Sequence, residues 1–224
     1  MRYNRTNGQP CKGPARCRAL PLQGLSGRKG RRSVYKEVFP MSKAVIFFAQ
    51  GLEECEGLLC VDLLRRAGVE VTVAAVGGQR AIVSSHKVRI ESDALAEELD
   101  YAAFDACILP GGLPGVDNLK ADATVRRVCC EFAAQGKIVA AICAAPTALA
   151  AFGVLNGKKA TVYPGMDAAL TEGGCTYTGL PLTIDGNLVT GEALGAAIPF
   201  ALALARILAG GETSDRVRKA IVYQ

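Results

Sequence analysis

A cysteine placed between a buried strand and a helix start can serve as a nucleophile. Cys143 holds that place in Ile138-Val-Ala-Ala-Ile-Cys143-Ala-Ala-Pro146. A sharp turn there would lift its side chain above the sheet, and free backbone N–H groups with the helix dipole would favour a thiolate. Pro146 suits the first turn of the following helix. Position alone leaves Cys143 open between a small core residue and a reactive thiol. Glu53-Glu54-Cys55-Glu56 leaves an earlier apolar run. Its carboxylates could simply favour a helix start, or one of them could exchange a proton with the thiol. Pro110-Gly111-Gly112 could turn tightly and offer bare N–H groups to a substrate oxygen, or be an ordinary loop. The only histidine, His86, lies in a hairpin region and reads as a surface residue.

Positioning these residues takes alternating elements. The run 43–49 is apolar after Lys43, as in a strand buried on both faces. Further strands are expected at 69–76, 105–109 and 137–142, with helices at 56–67, 123–135 and 144–152. A hairpin is expected from 81–84 and 87–91, and a short helix at 94–99. Beyond Gly153 the pattern gives strands near 160–162, 175–178, 181–185 and 188–191, and helices at 166–172, 194–209 and 213–221. This alternation predicts an α/β fold with a mostly parallel sheet and helices on both faces. Sites in such sheets form at the carboxyl ends of strands, which selects 50–56, 110–115 and 142–146.

Composition narrows the class. Half of the 224 residues are hydrophobic, enough for one domain with a sizeable core. Residues 1–40 carry most of the excess positive charge, with Glu37 their single acidic residue, and lack periodicity. They read as a disordered basic extension or a mis-assigned start, with the domain at 41–224. The domain itself is mildly acidic, which gives no electrostatic case for nucleic acid, and no run is apolar and long enough to span a membrane. Nine cysteines without a CxxC pair, in apolar or helical settings, suit free thiols in a reducing cytoplasm. With one histidine, no metal site is expected. No GxGxxG or Walker pattern supports a nucleotide cofactor.

Four ordered blocks carry a resemblance: Ala49-Gln-Gly-Leu-Glu53-Glu54-Cys-Glu56, Leu64-Arg65-Arg66-Ala-Gly-Val, Leu109-Pro-Gly111-Gly112 and Ala140-Ala-Ile-Cys143-Ala-Ala-Pro146-Thr147. Over 41–224 the chain resembles the ThiJ/PfpI family, in its YajL-like, parkinsonism-associated deglycase branch. The resemblance implies a flavodoxin-like three-layer sandwich that forms homodimers. It implies that Cys143 is the nucleophile and Glu56 its protonated partner, with oxyanion donors at Gly112 and Ala144 and Gly111 nearby. Arg66, His86 and Tyr163 are further candidates for the substrate site. His86 stands where some relatives have an anion-binding arginine, and Tyr163 where some have a histidine. Ala144 stands where the protease-like branches place a histidine, which disfavours a Cys-His-Glu protease.

The implied activity is that of a cofactor-independent glyoxalase, with deglycation of early methylglyoxal adducts. The competing class is a redox-sensing, chaperone-like protein whose thiol oxidises without turning over substrate. A glutamine amidotransferase would need a histidine after Cys143, and none follows.

Overall fold

The computed structural model describes residues 41–224. The reading of 1–40 therefore lies outside the described residues. The chain opens with β1 (Lys43–Phe48), α1 (Glu54–Arg66) and β2 (Glu70–Ala75). A hairpin of β3 (Ala81–Val83) and β4 (Arg89–Glu91) precedes β5 (Ala94–Leu95) and β6 (Ala106–Leu109). Next come α2 (Gly115–Ala121), α3 (Ala123–Gln135), β7 (Ile138–Ile142) and α4 (Pro146–Ala151). The last third holds β8 (Lys159–Ala160), α5 (Asp167–Glu172), β9 (Thr176–Tyr177), β10 (Leu182–Asp185) and β11 (Leu188–Gly191), then α6 (Ala197–Ala209) and α7 (Gly211–Ala220).

Seven strands form one sheet in the order β10-β11-β7-β6-β1-β2-β5. Every pairing in it is parallel except β10 with β11. Alternation along the central strands divides the core. Val45 and Phe47 pack on one face with Cys107, Leu109, Val139 and Ala141, under α3 and α4. Ala44, Ile46 and Phe48 pack on the other with Ile108, Ala140 and Ile142, under α1 and α6. Both faces are covered, so each central strand reads as one unbroken apolar run. The architecture is the α/β flavodoxin-like sandwich. Phe47 is fully buried and stacks at 6.0 Å on Tyr101. Phe47→Ala is expected to cost about 3–5 kcal/mol, read as a lower urea midpoint at unchanged slope.

Two expectations need correction. Residues 94–99 do not form a helix. Ala94 and Leu95 pair with β2 at the sheet edge, and only a single 3-10 turn, Ala96–Glu98, follows. A two-residue strand is too short for periodicity to reveal. Helix α2 is an added element between the expected strand at 105–109 and the expected helix at 123–135, where the Gly-Gly-Leu-Pro-Gly run carries turn chemistry rather than a helical period. The expected helix at 144–152 is shorter, starting at Pro146. Among the described residues, no helix is long and apolar enough to cross a membrane.

Candidate active site

Parallel order aligns the carboxyl ends of β1, β6 and β7, and the three candidate loops meet there. Helix α1 buries the face made by Glu56, Cys60, Leu63 and Leu64. That i, i+4, i+7, i+8 spacing points Glu56 inward, and its exposure is zero. Glu56 was singled out only by resemblance, yet its register with Cys60 and Leu64 marks it among the clustered glutamates. The carboxylate of Glu53 caps α1, accepting the Glu56 N–H at 2.7 Å. The N–H of Glu53 in turn donates to the Gly111 carbonyl at 2.8 Å, tying α1 to the β6 loop. This capping role is not legible in the sequence, because glutamate is not among the residues usually preferred at an N-cap.

Cys143 follows β7 with φ 63°, in the left-handed region. A non-glycine residue there stores strain of about 1–3 kcal/mol and is held by its surroundings. Its N–H donates to the Gly191 carbonyl at 3.0 Å, and its carbonyl accepts the Tyr163 N–H at 2.9 Å. The turn leaves the thiol half-buried, facing Glu56. Gly111 separates the two: a Cβ there would lie 2.6 Å from both the Cys143 Cβ and Glu56 Oε2, and 3.1 Å from the sulfur. The Gly111 N–H donates to Glu56 Oε2 at 2.9 Å. Glu56 Oε1 is buried with no well-formed partner, which leaves one oxygen free for proton exchange. The N–H groups of Ala144 and Gly112 are directed at the thiol.

Burial raises the Glu56 pKa from its usual 4.5 to about 7, held back by hydrogen bonding to Cys143 and Gly111. Burial also pushes the Cys143 thiol up to about 12, and the ionised Glu56 carboxylate adds to this, while the Ala144 and Gly112 N–H groups oppose it. The turn alone was expected to favour a thiolate. It does not, because burial of the sulfur disfavours its charge and the Glu56 carboxylate beside it adds to the effect. The two groups titrate as a pair. A thiolate becomes accessible when Glu56 holds the proton, since the repulsive carboxylate is then a hydrogen-bond donor.

Folding raises the Glu56 pKa, so it favours the protonated form. That stabilisation is complete below about pH 4.5 and lost as pH rises through about 7. It amounts to at most about 3 kcal/mol. Wild-type stability should fall between pH 5 and pH 8, while Glu56→Gln stays flat. Urea titrations at both pH values check this, and parallel curves for the two proteins would contradict it.

The structure brings Cys143, Glu56, Gly111, Gly112 and Ala144 together. Tyr163 joins through its backbone, with its side chain 46% exposed. His86 lies on the β3–β4 turn, its Nδ1 3.1 Å from Glu54 and 4.0 Å from Glu53, at the rim rather than at the thiol. These three side chains are the one group of potential metal ligands that comes together among the described residues. The contact between the His86 ring and Glu54 accounts for it. Arg66 is not brought to the site. It pairs with Asp62 in the last turn of α1, about 15 Å along the helix from Glu56. A cavity of about 390 Å³ beside Tyr101, Arg127 and Lys137 lies at the amino ends of the strands. Its cations are already engaged, Arg127 by Glu131 and Lys137 by the Ala102 carbonyl.

Known proteins resemble the chain in both sequence and fold. Protein dj-1beta of Drosophila melanogaster is 39% identical over 183 residues, which span 81% of this chain and 98% of that protein. The glutathione-independent glyoxalase DJR-1.2 of Caenorhabditis elegans is 28% identical, over 80% of this chain and 94% of its own. The crystal structure of Drosophila melanogaster DJ-1beta superposes with a TM-score of 0.80 at 37% identity, covering 82% of this chain and 99% of that one. The oxidized Toxoplasma gondii DJ-1 superposes with a TM-score of 0.77 at 30% identity, over 81% and 98%. Residues 42–207 match the DJ-1/PfpI family, and the chain belongs to it.

Proposed function

We propose that the protein is a cofactor-independent glyoxalase and deglycase. Its substrates are methylglyoxal-type 2-oxoaldehydes and their early adducts. The observation that carries this reading is the pairing of Cys143, on its left-handed turn, with the buried, half-partnered carboxyl of Glu56. The glyoxalase named among the relatives supports it.

In the first step the Cys143 sulfur bonds to the aldehyde carbon, and the thiol proton reaches the aldehyde oxygen by way of Glu56. The Gly112 and Ala144 N–H groups stabilise the oxygen while it is charged. Glu56 then takes the proton from C1 of the hemithioacetal and returns it to C2 through an enediol, which leaves a 2-hydroxy acid thioester. Water cleaves the thioester, releases the hydroxy acid and restores the thiol. With an adducted amine, the S–C bond forms as the C–N bond breaks, and the proton leaves with the amine. No external oxidant or reductant enters, because the aldehyde carbon is oxidised as the ketone carbon is reduced. The test is methylglyoxal consumption by wild type, Cys143→Ala and Glu56→Gln.

A second reading has one supporting observation: the N–H groups directed at Sγ would also hold the oxygens of an oxidised sulfur. Peptide mass spectrometry after mild peroxide, with no turnover of methylglyoxal, would favour it. The seven described cysteines are all free, which suits the reducing cytoplasm assigned here. The assigned assembly is a homodimer: light scattering should give the mass of two chains, and a single-chain mass would contradict it.

A further inference from the structure

We propose that Glu53 is a positioning residue for this reaction, holding Glu56 and the Gly111–Gly112 turn in one frame. The proposal rests on the reading of Cys143 and Glu56 as the reacting pair. Three observations support it. Glu53 Oε2 accepts the backbone N–H of Glu56 at 2.7 Å, which fixes where Glu56 leaves the helix. The Glu53 N–H donates at 2.8 Å to the Gly111 carbonyl, and the Gly111 N–H donates at 2.9 Å to Glu56 Oε2. The three residues thus close a ring of hydrogen bonds around the gap where thiol and carboxyl meet. Finally, the Glu53 side chain is only 14% exposed, so its charge acts on Glu56 with little water between them.

The charge has a direction of effect. A carboxylate beside Glu56 disfavours a second negative charge, so Glu53 keeps the proton on Glu56 to higher pH. The other titratable groups around the pair are few. Cys143 faces Glu56 from the β7–α4 turn, and Cys60 and Cys55 lie near it on α1 itself. Glu54 and His86 face Glu53 from α1 and the β3–β4 turn.

The experiment is the pH profile of Cys143 alkylation by iodoacetamide, followed by peptide mass spectrometry, for wild type, Glu53→Gln, Glu53→Ala and Glu56→Gln. Glu53→Gln keeps an acceptor oxygen for the Glu56 N–H and removes the charge. Its profile should keep the wild-type plateau, with the midpoint near pH 7 moved to lower pH by about half a unit. Glu53→Ala also loses the cap, and its plateau rate should fall. A plain helix cap predicts no midpoint shift in Glu53→Gln, and profiles coinciding with wild type there would overturn the proposal. Glu56→Gln separates the two failures. If it leaves the midpoint near 7 in place, the Cys143–Glu56 pairing is wrong and the role of Glu53 falls with it. If the midpoint disappears while Glu53→Gln changes nothing, only the role of Glu53 is refuted.

Discussion

Replacing Glu56 with Gln is expected to lower methylglyoxal turnover about 100-fold, the usual contribution of one positioned acid–base group. The substitution preserves shape. A glutamine oxygen can still accept the Gly111 N–H that now reaches Oε2. What is lost is the ability to hold and return a proton beside the sulfur. Addition of the thiol to the aldehyde should continue, because hemithioacetals form reversibly without a dedicated base. The isomerisation that follows should stall, and the Cys143 adduct should accumulate. Stopped reactions analysed by peptide mass spectrometry would show it. Stability does not confound the result, because a neutral side chain removes the buried charge that costs the wild type at pH 8. Turnover within about twofold of wild type would mean that Glu56 plays no part in proton transfer.

Gly111→Ala is expected to have a comparable effect for a steric reason. The added methyl would lie 2.6 Å from both the Cys143 Cβ and Glu56 Oε2, closer than real Cβ atoms approach their neighbours. Both neighbours are anchored. Cys143 is held by its bonds to Gly191 and Tyr163, and Glu56 by its helix. One of them must move, and a displacement near 1 Å at reacting groups costs about 100-fold in rate. The strain should also lower stability by about 1–3 kcal/mol. The check is turnover measured well below the unfolding transition. Unchanged turnover would show that the thiol and carboxyl need not meet across Gly111.

The central strands and the helices packed on them were legible because burial on both faces leaves little room for polar residues. Residues 43–49 and 137–142 are apolar almost throughout, and β11 falls on its expected span. Helix α3 also matches its expected limits, helped by the Asp122 cap and the left-handed Gly136. Short elements were not legible. β5 owes its existence to two backbone pairings with β2, which composition does not encode. At the site, the strand-end rule and the four motif blocks brought Cys143, Glu56, Gly111, Gly112 and Ala144 into view. Within the described chain Arg66 lies in the last turn of α1, away from Glu56, and a motif block does not tell which turn of a helix reaches a site. Glu53 was missed because its carboxylate meets a backbone N–H of Glu56 and its own N–H meets the Gly111 carbonyl, partners that no sequence pattern marks. Burial of the Cys143 sulfur, which raises its pKa above what the turn and the facing carboxyl suggest, depends on the tertiary packing and is not legible in the sequence.

In the proposed reaction, catalysis runs through the Cys143 sulfur. The most direct measurement is formation of the 2-hydroxy acid from methylglyoxal by Cys143→Ala, alongside wild type at equal concentration of folded protein. A small side chain at the half-buried Cys143 should leave the fold intact. Product should form no faster than in buffer alone. Undiminished formation of the hydroxy acid would show that the reaction does not use this thiol.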